Sequence, residues 1–193
     1  MDSVAISIVR NESDVIEAFV RYHSEIFDKV VIINHNSQDD TPIILQQLQD
    51  EGLPLEVREE NLYYHGQAEC MTALAHEVWQ KYRPKWIVPL DGDEFFVMKG
   101  DFGQLWKEMP KLEHVLFPLW HNYVPTQHDP VQEQNILKKM KYKNRYINRN
   151  QHKVIIPGHL MQIDGTYLPE GNHELYYKNG EPVSYSITEI AYI

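Results

Sequence analysis

The sequence predicts an α/β domain built on a mixed, mostly parallel sheet flanked by helices, with a loop- and strand-rich C-terminal part. Three observations carry that expectation. Over the first 120 residues short apolar runs alternate with stretches of helical periodicity, a pattern that demands crossover connections between parallel strands. Beyond Asn122 the periodicity gives way to loops, basic residues and short apolar stretches. A length of 193 residues suits one domain with a single well-filled interior.

The elements follow in order. Val4-Ala5-Ile6-Ser7-Ile8-Val9 reads as a buried strand, and Val15, Ile16, Phe19, Val20, Ile26 and Phe27 keep helical spacing, which gives a helix from Ser13 to Phe27. Lys29 to Ile33 is a second buried strand. Thr41 is placed as the N-cap of a helix with Pro42 at its first position, and Gly52 closes it. Leu55 to Val57 is a short third strand. Ala68, Met71, Ala75, Val78, Trp79 and Tyr82 mark a helix that ends before Pro84, and Trp86 to Leu90 is a fourth strand running into Asp91. Asp101 caps a short helix to Met109, and a strand follows from His114 to Trp120. In the last third, Val154 to Ile156, Leu160 to Ile163 and Val183 to Ile193 read as added antiparallel strands. The final Ile190-Ala191-Tyr192-Ile193 stops in mid-strand, as a truncated chain would.

Composition narrows the function classes. Hydrophobic residues make up 42% and charged residues 24%, ordinary for a globular protein. A formal charge of -10 argues against general nucleic-acid binding, which needs a broad positive surface. The one cysteine, Cys70, excludes an internal disulfide and a multi-cysteine zinc site, and fits a reducing, cytoplasmic setting. No basic segment followed by an apolar run opens the chain, and no transmembrane segment is legible.

Asp91-Gly92-Asp93-Glu94 stands at the end of the fourth strand, where ligands of parallel sheets bind. Strand alternation would put Asp91 and Asp93 on one side, with Gly92 allowing close approach of a ligand backbone. Two converging carboxylates repel, which favours a hard divalent cation such as Mg²⁺ or Mn²⁺ beside them. The bland alternative is an acidic turn that merely ends a strand.

Four motifs in order, Arg10-Asn11-Glu12, Tyr22-His23, Asn36-Ser37-Gln38-Asp39-Asp40-Thr41 and Leu90-Asp91-Gly92-Asp93-Glu94-Phe95, resemble the family-2-like glycosyltransferases of GT-A fold over residues 4 to 98. That resemblance implies a GT-A-like sheet and transfer of a sugar, with inversion, from a nucleotide-diphosphate donor to an acceptor hydroxyl on a glycan, lipid or protein. It implies that Arg10, Asn11 and Glu12 hold the base and ribose. Asn34 stands where an acidic residue commonly contacts the base, a departure that puts the usual uracil preference in doubt. Gly66 and Gln67 lie where a glycine-containing segment, here after Tyr64-His65, packs on the nucleotide. Asp91 and Asp93 would bind metal (Mn²⁺ or Mg²⁺) and diphosphate, and His173 in Gly171-Asn172-His173-Glu174 is the best match for a later metal ligand. On this reading residues 1–193 form one transferase domain, with a nucleotide-binding half (1–120) and an acceptor-side half (121–193).

An inverting transferase needs a general base for the acceptor hydroxyl. Asp129, Glu170 and Glu174 are equal candidates, each of which would otherwise be a solvent-facing charge. The basic residues Lys138, Lys139, Lys141, Lys143, Arg145, Arg149 and Lys153 lie in a stretch with no acid between Glu133 and Asp164. The run Lys138 to Arg149 would neutralise a diphosphate or attract an anionic acceptor, or simply form a solvated face. Trp120, His121, Tyr123 and Tyr142 would stack on a sugar ring or pack in the core. Two rivals remain. A sugar-nucleotide nucleotidyltransferase would carry a Gly-rich basic loop after the first strand, where this chain has Arg10-Asn11-Glu12. A non-catalytic sugar-binding module would not need Asp91, Asp93 and Glu94 intact.

Overall fold

The computed structural model describes residues 1–59, 66–98, 103, 104, 106, 115–119, 121–130, 132, 133, 135–144 and 152–192. Strand β1 (Ser3–Val9) leads through helix α1 (Ile16–Ser24) to β2 (Lys29–Asn34), then through α2 (Thr41–Asp50) to β3 (Leu55–Glu59). Helix α3 (Gln67–Tyr82) follows, and then β4 (Trp86–Pro89), β5 (Val97–Met98), β6 (Val115–Leu119), β7 (Ile156–Pro157) and β8 (Tyr185–Tyr192). The main sheet has the order β3-β2-β1-β4-β7. Its first four strands are parallel and β7 is antiparallel to β4. A second sheet, β5-β8-β6, pairs β8 antiparallel to β5 and parallel to β6.

The two-residue period of the strands sorts their side chains onto two covered faces. Ala5, Val9, Val30, Ile32 and Val88 pack with Ile16, Phe19, Leu45 and Leu48 of α1 and α2. Val4, Ile6, Val31, Ile33 and Ile87 pack with Met71, Leu74 and Val78 of α3, and with Leu160 and Met161 from the C-terminal part. Strand order runs outward from β1 to β3, then reverses across β1 to β4. The crevice between the carboxyl ends of β1 and β4 is therefore the topological switch point, where open α/β sheets bind ligands.

Several expectations need correcting. Helix α1 is shorter than the periodic stretch: Ile26 and Phe27 are buried, but beyond Ser24 their N–H groups close a turn onto the His23 carbonyl. Thr41 is the first helical residue rather than the N-cap, a place taken by Asp40, because its hydroxyl is engaged by another loop. Gly52 does end α2, at φ +84°. Leu160 to Ile163 is not a strand; Gly158–Gln162 form a 3-10 helix whose Leu160 and Met161 are buried. The last strand is not purely antiparallel, since β8 runs parallel to β6. The expected strand from His114 to Trp120 is β6, its two end residues lying outside the described set, as does most of the helix expected from Asp101 to Met109.

Candidate active site

Two loops close one edge of the switch point. Asn11 has a left-handed backbone (φ 57°), a conformation asparagine tolerates. The amide N–H groups of Asn11, Glu12 and Ser13 donate to Ser37 Oγ (3.0 Å), Thr41 Oγ1 (2.9 Å) and Asp39 Oδ2 (3.0 Å). The Asn11 side chain in turn accepts the Gln38 N–H at 2.7 Å. The Ser-x-Asp-x-Thr element after β2 is thus the fastener that shapes the loop after β1. Burial acts to raise the Asp39 carboxyl, but hydrogen bonds from Thr41 and Ser13 outweigh it and hold that group well below the usual carboxylate range. Asn34, at the end of β2, is buried and donates to Glu59 Oε2 at 2.8 Å, while its own Oδ1 is buried with no hydrogen-bond partner.

The acidic run after β4 is a turn. Glu94 N–H donates to the Asp91 carbonyl (3.0 Å), and Glu94 Oε2 accepts the Asp91 N–H (2.9 Å). The chain turns at Asp91, so strand alternation does not govern Asp93. Asp91 is half-buried and Asp93 exposed. Gly92 is needed for close approach: a Cβ there would lie 3.1 Å from Val9 Cγ1 and 3.3 Å from Glu12 Cγ. Helix α1 grips the far side of this turn. Tyr22 Oη donates to the Phe96 carbonyl (3.0 Å), and His23 Nε2 accepts the Phe96 N–H (3.1 Å), which gives Tyr22-His23 a structural task.

A cation does stand beside Asp91, and it is one the sequence reading did not single out. Lys153, 1% exposed, places Nζ 2.6 Å from Asp91 Oδ2, 2.8 Å from the Gly171 carbonyl and 3.5 Å from Glu94 Oε1. Gln67 Nε2 donates to the other Asp91 oxygen at 3.0 Å, and Gln67 Oε1 accepts the Gly171 N–H at 3.1 Å. In the sequence Lys153 is the last residue of the basic stretch and a lysine opening an apolar run, both too common to mark a site.

Negative potential is concentrated at this edge. The Glu12 carboxyl is raised by burial first, and then by Asp93, Asp14, Asp39 and Asp91. Glu94 is pushed up to about 7, chiefly by burial and further by Asp91 and Asp93, against the lowering effect of Lys153 and the Asp91 N–H.

The remaining expected residues divide. Gly66 ends the approach to α3 in extended conformation, and a Cβ on it would lie 2.7 Å from Glu69 Oε2 and 3.1 Å from Glu170 Oε1. Glu170 is exposed and therefore stands next to the residue that precedes Gln67. Arg10 is exposed just past β1. Asp129 is buried and caps its own turn by accepting the Thr126 N–H, and Glu174 accepts the Tyr176 hydroxyl. His173 turns Nδ1 to the His152 carbonyl. Among the described residues no three His, Cys, Asp or Glu side chains are gathered as a metal cluster, so the expected trio Asp91, Asp93 and His173 is not assembled. The Lys153 ammonium lies between Asp91 and the turn that leads to His173. Tyr123 and Tyr142 are exposed, not core, and Lys138, Lys139, Lys141 and Lys143 accompany them on the same excursion. Trp120, Arg145, Arg149 and the Tyr64-His65 pair lie outside the described residues. Cys70 is buried, as a small apolar residue on α3 is expected to be.

A mostly parallel sheet with an acidic turn at its switch point, faced by a fastened loop from the neighbouring strand, is the architecture of a GT-A-like glycosyltransferase. The family model described as Glycosyl transferase family 2 matches residues 4–167, and the chain belongs to that family. Among solved structures, a fragment (1–349) of TarS from S. aureus is similar with a TM-score of 0.62 at 16% identity, covering 100% of this chain and 60% of that one. The chain thus spans 60% of the length of that fragment, and the likeness is one of fold. A mannosyltransferase from Pyrobaculum calidifontis, solved in complex with GDP-Man and Mn²⁺, gives a TM-score of 0.45 at 18% identity, covering 60% of this chain and 34% of that one. A CMP:2-keto-3-deoxy-manno-octonic acid synthetase complexed with CTP gives 0.44 at 14% identity, covering 83% and 76%. No curated protein matches the chain. Among the described residues no helix is long and apolar enough to cross a membrane.

Proposed function

We propose that this chain forms the donor-binding domain of a metal-dependent, inverting glycosyltransferase that moves a sugar from a nucleotide-diphosphate donor to an acceptor hydroxyl. The observation that carries the reading is the convergence of Glu12, Asp91, Asp93 and Glu94 on the switch point between β1 and β4. The donor set is of hard carboxylate oxygens, and Glu94 Oε1 is buried without a hydrogen-bond partner, features that fit a hard divalent ion. The exposed Asp93 would offer it a carboxylate, with Glu12 and Asp91 adding negative potential beside it. A bound Mn²⁺ or Mg²⁺ supplies positive charge against the diphosphate leaving group. The chain itself orients the donor: the fastened loop 10–13 and Asn34 border the nucleotide side, and Gly66 and Gln67 border the diphosphate side.

Of the three candidate bases, Glu170 is supported best. It is exposed, whereas Asp129 is buried and caps its own turn and Glu174 accepts from Tyr176.

The test is thermal unfolding with UDP-, GDP-, CMP- and dTDP-sugars, each with and without Mn²⁺. At a hundredfold excess over Kd, a true donor adds about 2.7 kcal/mol, roughly 5–10 °C for a domain of this size. The shift is expected only with metal, and Asp93→Ala is expected to abolish it while leaving the unliganded Tm within a few degrees. Glu170→Gln should keep the shift and lose donor turnover. No nucleotide sugar giving a metal-dependent shift, or Asp93→Ala keeping it, would count against the reading.

A further inference from the structure

The contacts around Asp91 form a closed circuit. Lys153 Nζ donates to Asp91 Oδ2, Gln67 Nε2 donates to Asp91 Oδ1, Gly171 N–H donates to Gln67 Oε1, and Lys153 Nζ donates to the Gly171 carbonyl. It joins the end of β4, the first turn of α3, the approach to β7 and the 3-10 turn Glu170–Asn172. The last of these is a left-handed turn, with Gly171 at φ +81° and Asn172 at +55°, conformations that glycine and asparagine accept. An ammonium 1% exposed is costly to bury and is kept only when fully paired. Its second carboxylate neighbour, Glu94, is 6% exposed, and Glu94 Oε1, 3.5 Å from Nζ, accepts no hydrogen bond.

We propose that Lys153 is the resident cation and positioning residue of this site, holding Asp91 in place and leaving the exposed Asp93 as the carboxylate offered to a metal ion. The inference rests on the donor-site reading above. In this arrangement both Asp91 oxygens are already engaged by the protein, and one of the turn's negative charges is offset before any ion arrives. The same ammonium ties Asp91 to the turn that carries Glu170, so donor side and acceptor side are set by one side chain. An invading metal ion competes with Lys153 for the same carboxylate field, so deleting the ammonium should strengthen metal binding. A merely structural lysine would do the reverse, since a loosened site binds worse.

The experiment is titration of the full chain with Mn²⁺ alone, followed by electron paramagnetic resonance, for the wild type, Lys153→Gln and Lys153→Arg. Lys153→Gln is expected to bind Mn²⁺ tenfold or more tightly than wild type, the effect of removing one positive charge a few ångströms away in a partly wet site. Lys153→Arg is expected to stay near wild type. If wild type binds Mn²⁺ and folded Lys153→Gln binds it equally or more weakly, the Lys153 inference is overturned and the transferase reading stands. If wild type binds no Mn²⁺ but Lys153→Gln gains a site, the inference is upheld and metal dependence of the natural chain is refuted. If neither binds, both fail. Should Lys153→Gln not fold, lysine side-chain NMR of the wild type decides. One slowly exchanging ammonium signal, broadened by stoichiometric Mn²⁺, upholds the proposal. Free exchange of every lysine, or a protected signal that Mn²⁺ leaves sharp, overturns it.

Discussion

His23 is buried at the contact between α1 and the acidic turn, where Nδ1–H donates to the Phe19 carbonyl at 2.9 Å and Nε2 accepts the Phe96 N–H at 3.1 Å. Only the neutral Nδ1–H tautomer makes both bonds. Burial therefore pulls His23 down to about 3 from its ordinary 6.5, against a smaller upward effect of the Phe19 carbonyl. Below pH 6.5 the unfolded chain binds the proton and the folded chain refuses it, so stability is present above 6.5 and falls as the pH drops toward 3. Glu94 acts with opposite sign between 7 and 4.5, because its folded form takes up a proton first. The two nearly oppose each other around pH 5–6, so the histidine effect is best read as a difference. The gap between wild type and His23→Gln in urea unfolding should change in favour of the variant by roughly 1.4 kcal/mol for each pH unit below 6.5. A gap that stays constant from pH 7.5 to 4.5 would refute the assignment. Neither this role of His23 nor that of Lys153 was legible in the sequence, because both depend on which distant backbone groups the fold delivers.

At the scale of elements, periodicity and turn chemistry carried most of the information. β1 to β4 and the three long helices lie where apolar spacing, Pro42, Gly52 and Pro84 place them, since each is covered by a core face that the pattern encodes. What the pattern missed is the stretch 158–162, whose apolar residues are buried by a 3-10 helix rather than by strand pairing. Gly158 explains the choice. Its N–H donates to the Lys85 carbonyl at 2.7 Å, and a Cβ on it would sit 2.1 Å from the Pro84 carbonyl and 3.1 Å from the Trp79 ring. The backbone of this segment therefore lies directly on the α3–β4 connection, an approach open to glycine alone. Gly158→Ala must push the two segments apart, at a cost of about 1–3 kcal/mol, visible as a lower Tm in circular dichroism. An unchanged Tm would mean that the contact is not made.

For the whole molecule, the central sheet is shared by two cores, one beneath α1 and α2 and the other beneath α3. Neither face can lose its cover without exposing strands that the other needs. Leu45→Ala on one side and Leu74→Ala on the other, both at fully buried positions, should each cost about 2–5 kcal/mol. Both should lower one common unfolding transition, coincident by tryptophan fluorescence and far-ultraviolet dichroism. Two separable transitions would show that the faces unfold independently. At this scale the position of Asp91 at the carboxyl edge of the sheet was readable in advance, because alternating strands and helices fix that edge. The site's internal wiring was not, because Lys153 lies 62 positions from Asp91 in sequence.

The fastening of loop 10–13 by Ser37, Asp39 and Thr41 has a bearing on how anions can be received here. Three consecutive main-chain donors next to the crevice are already committed to the protein's own oxygens. Such amides are what a phosphate-cradling loop would present, and here they are withdrawn from that use. A polyphosphate arriving at this edge would thus meet no ready nest of N–H groups on the loop 11–13. The geometry trades direct anion capture for a loop that is already ordered when the ligand arrives.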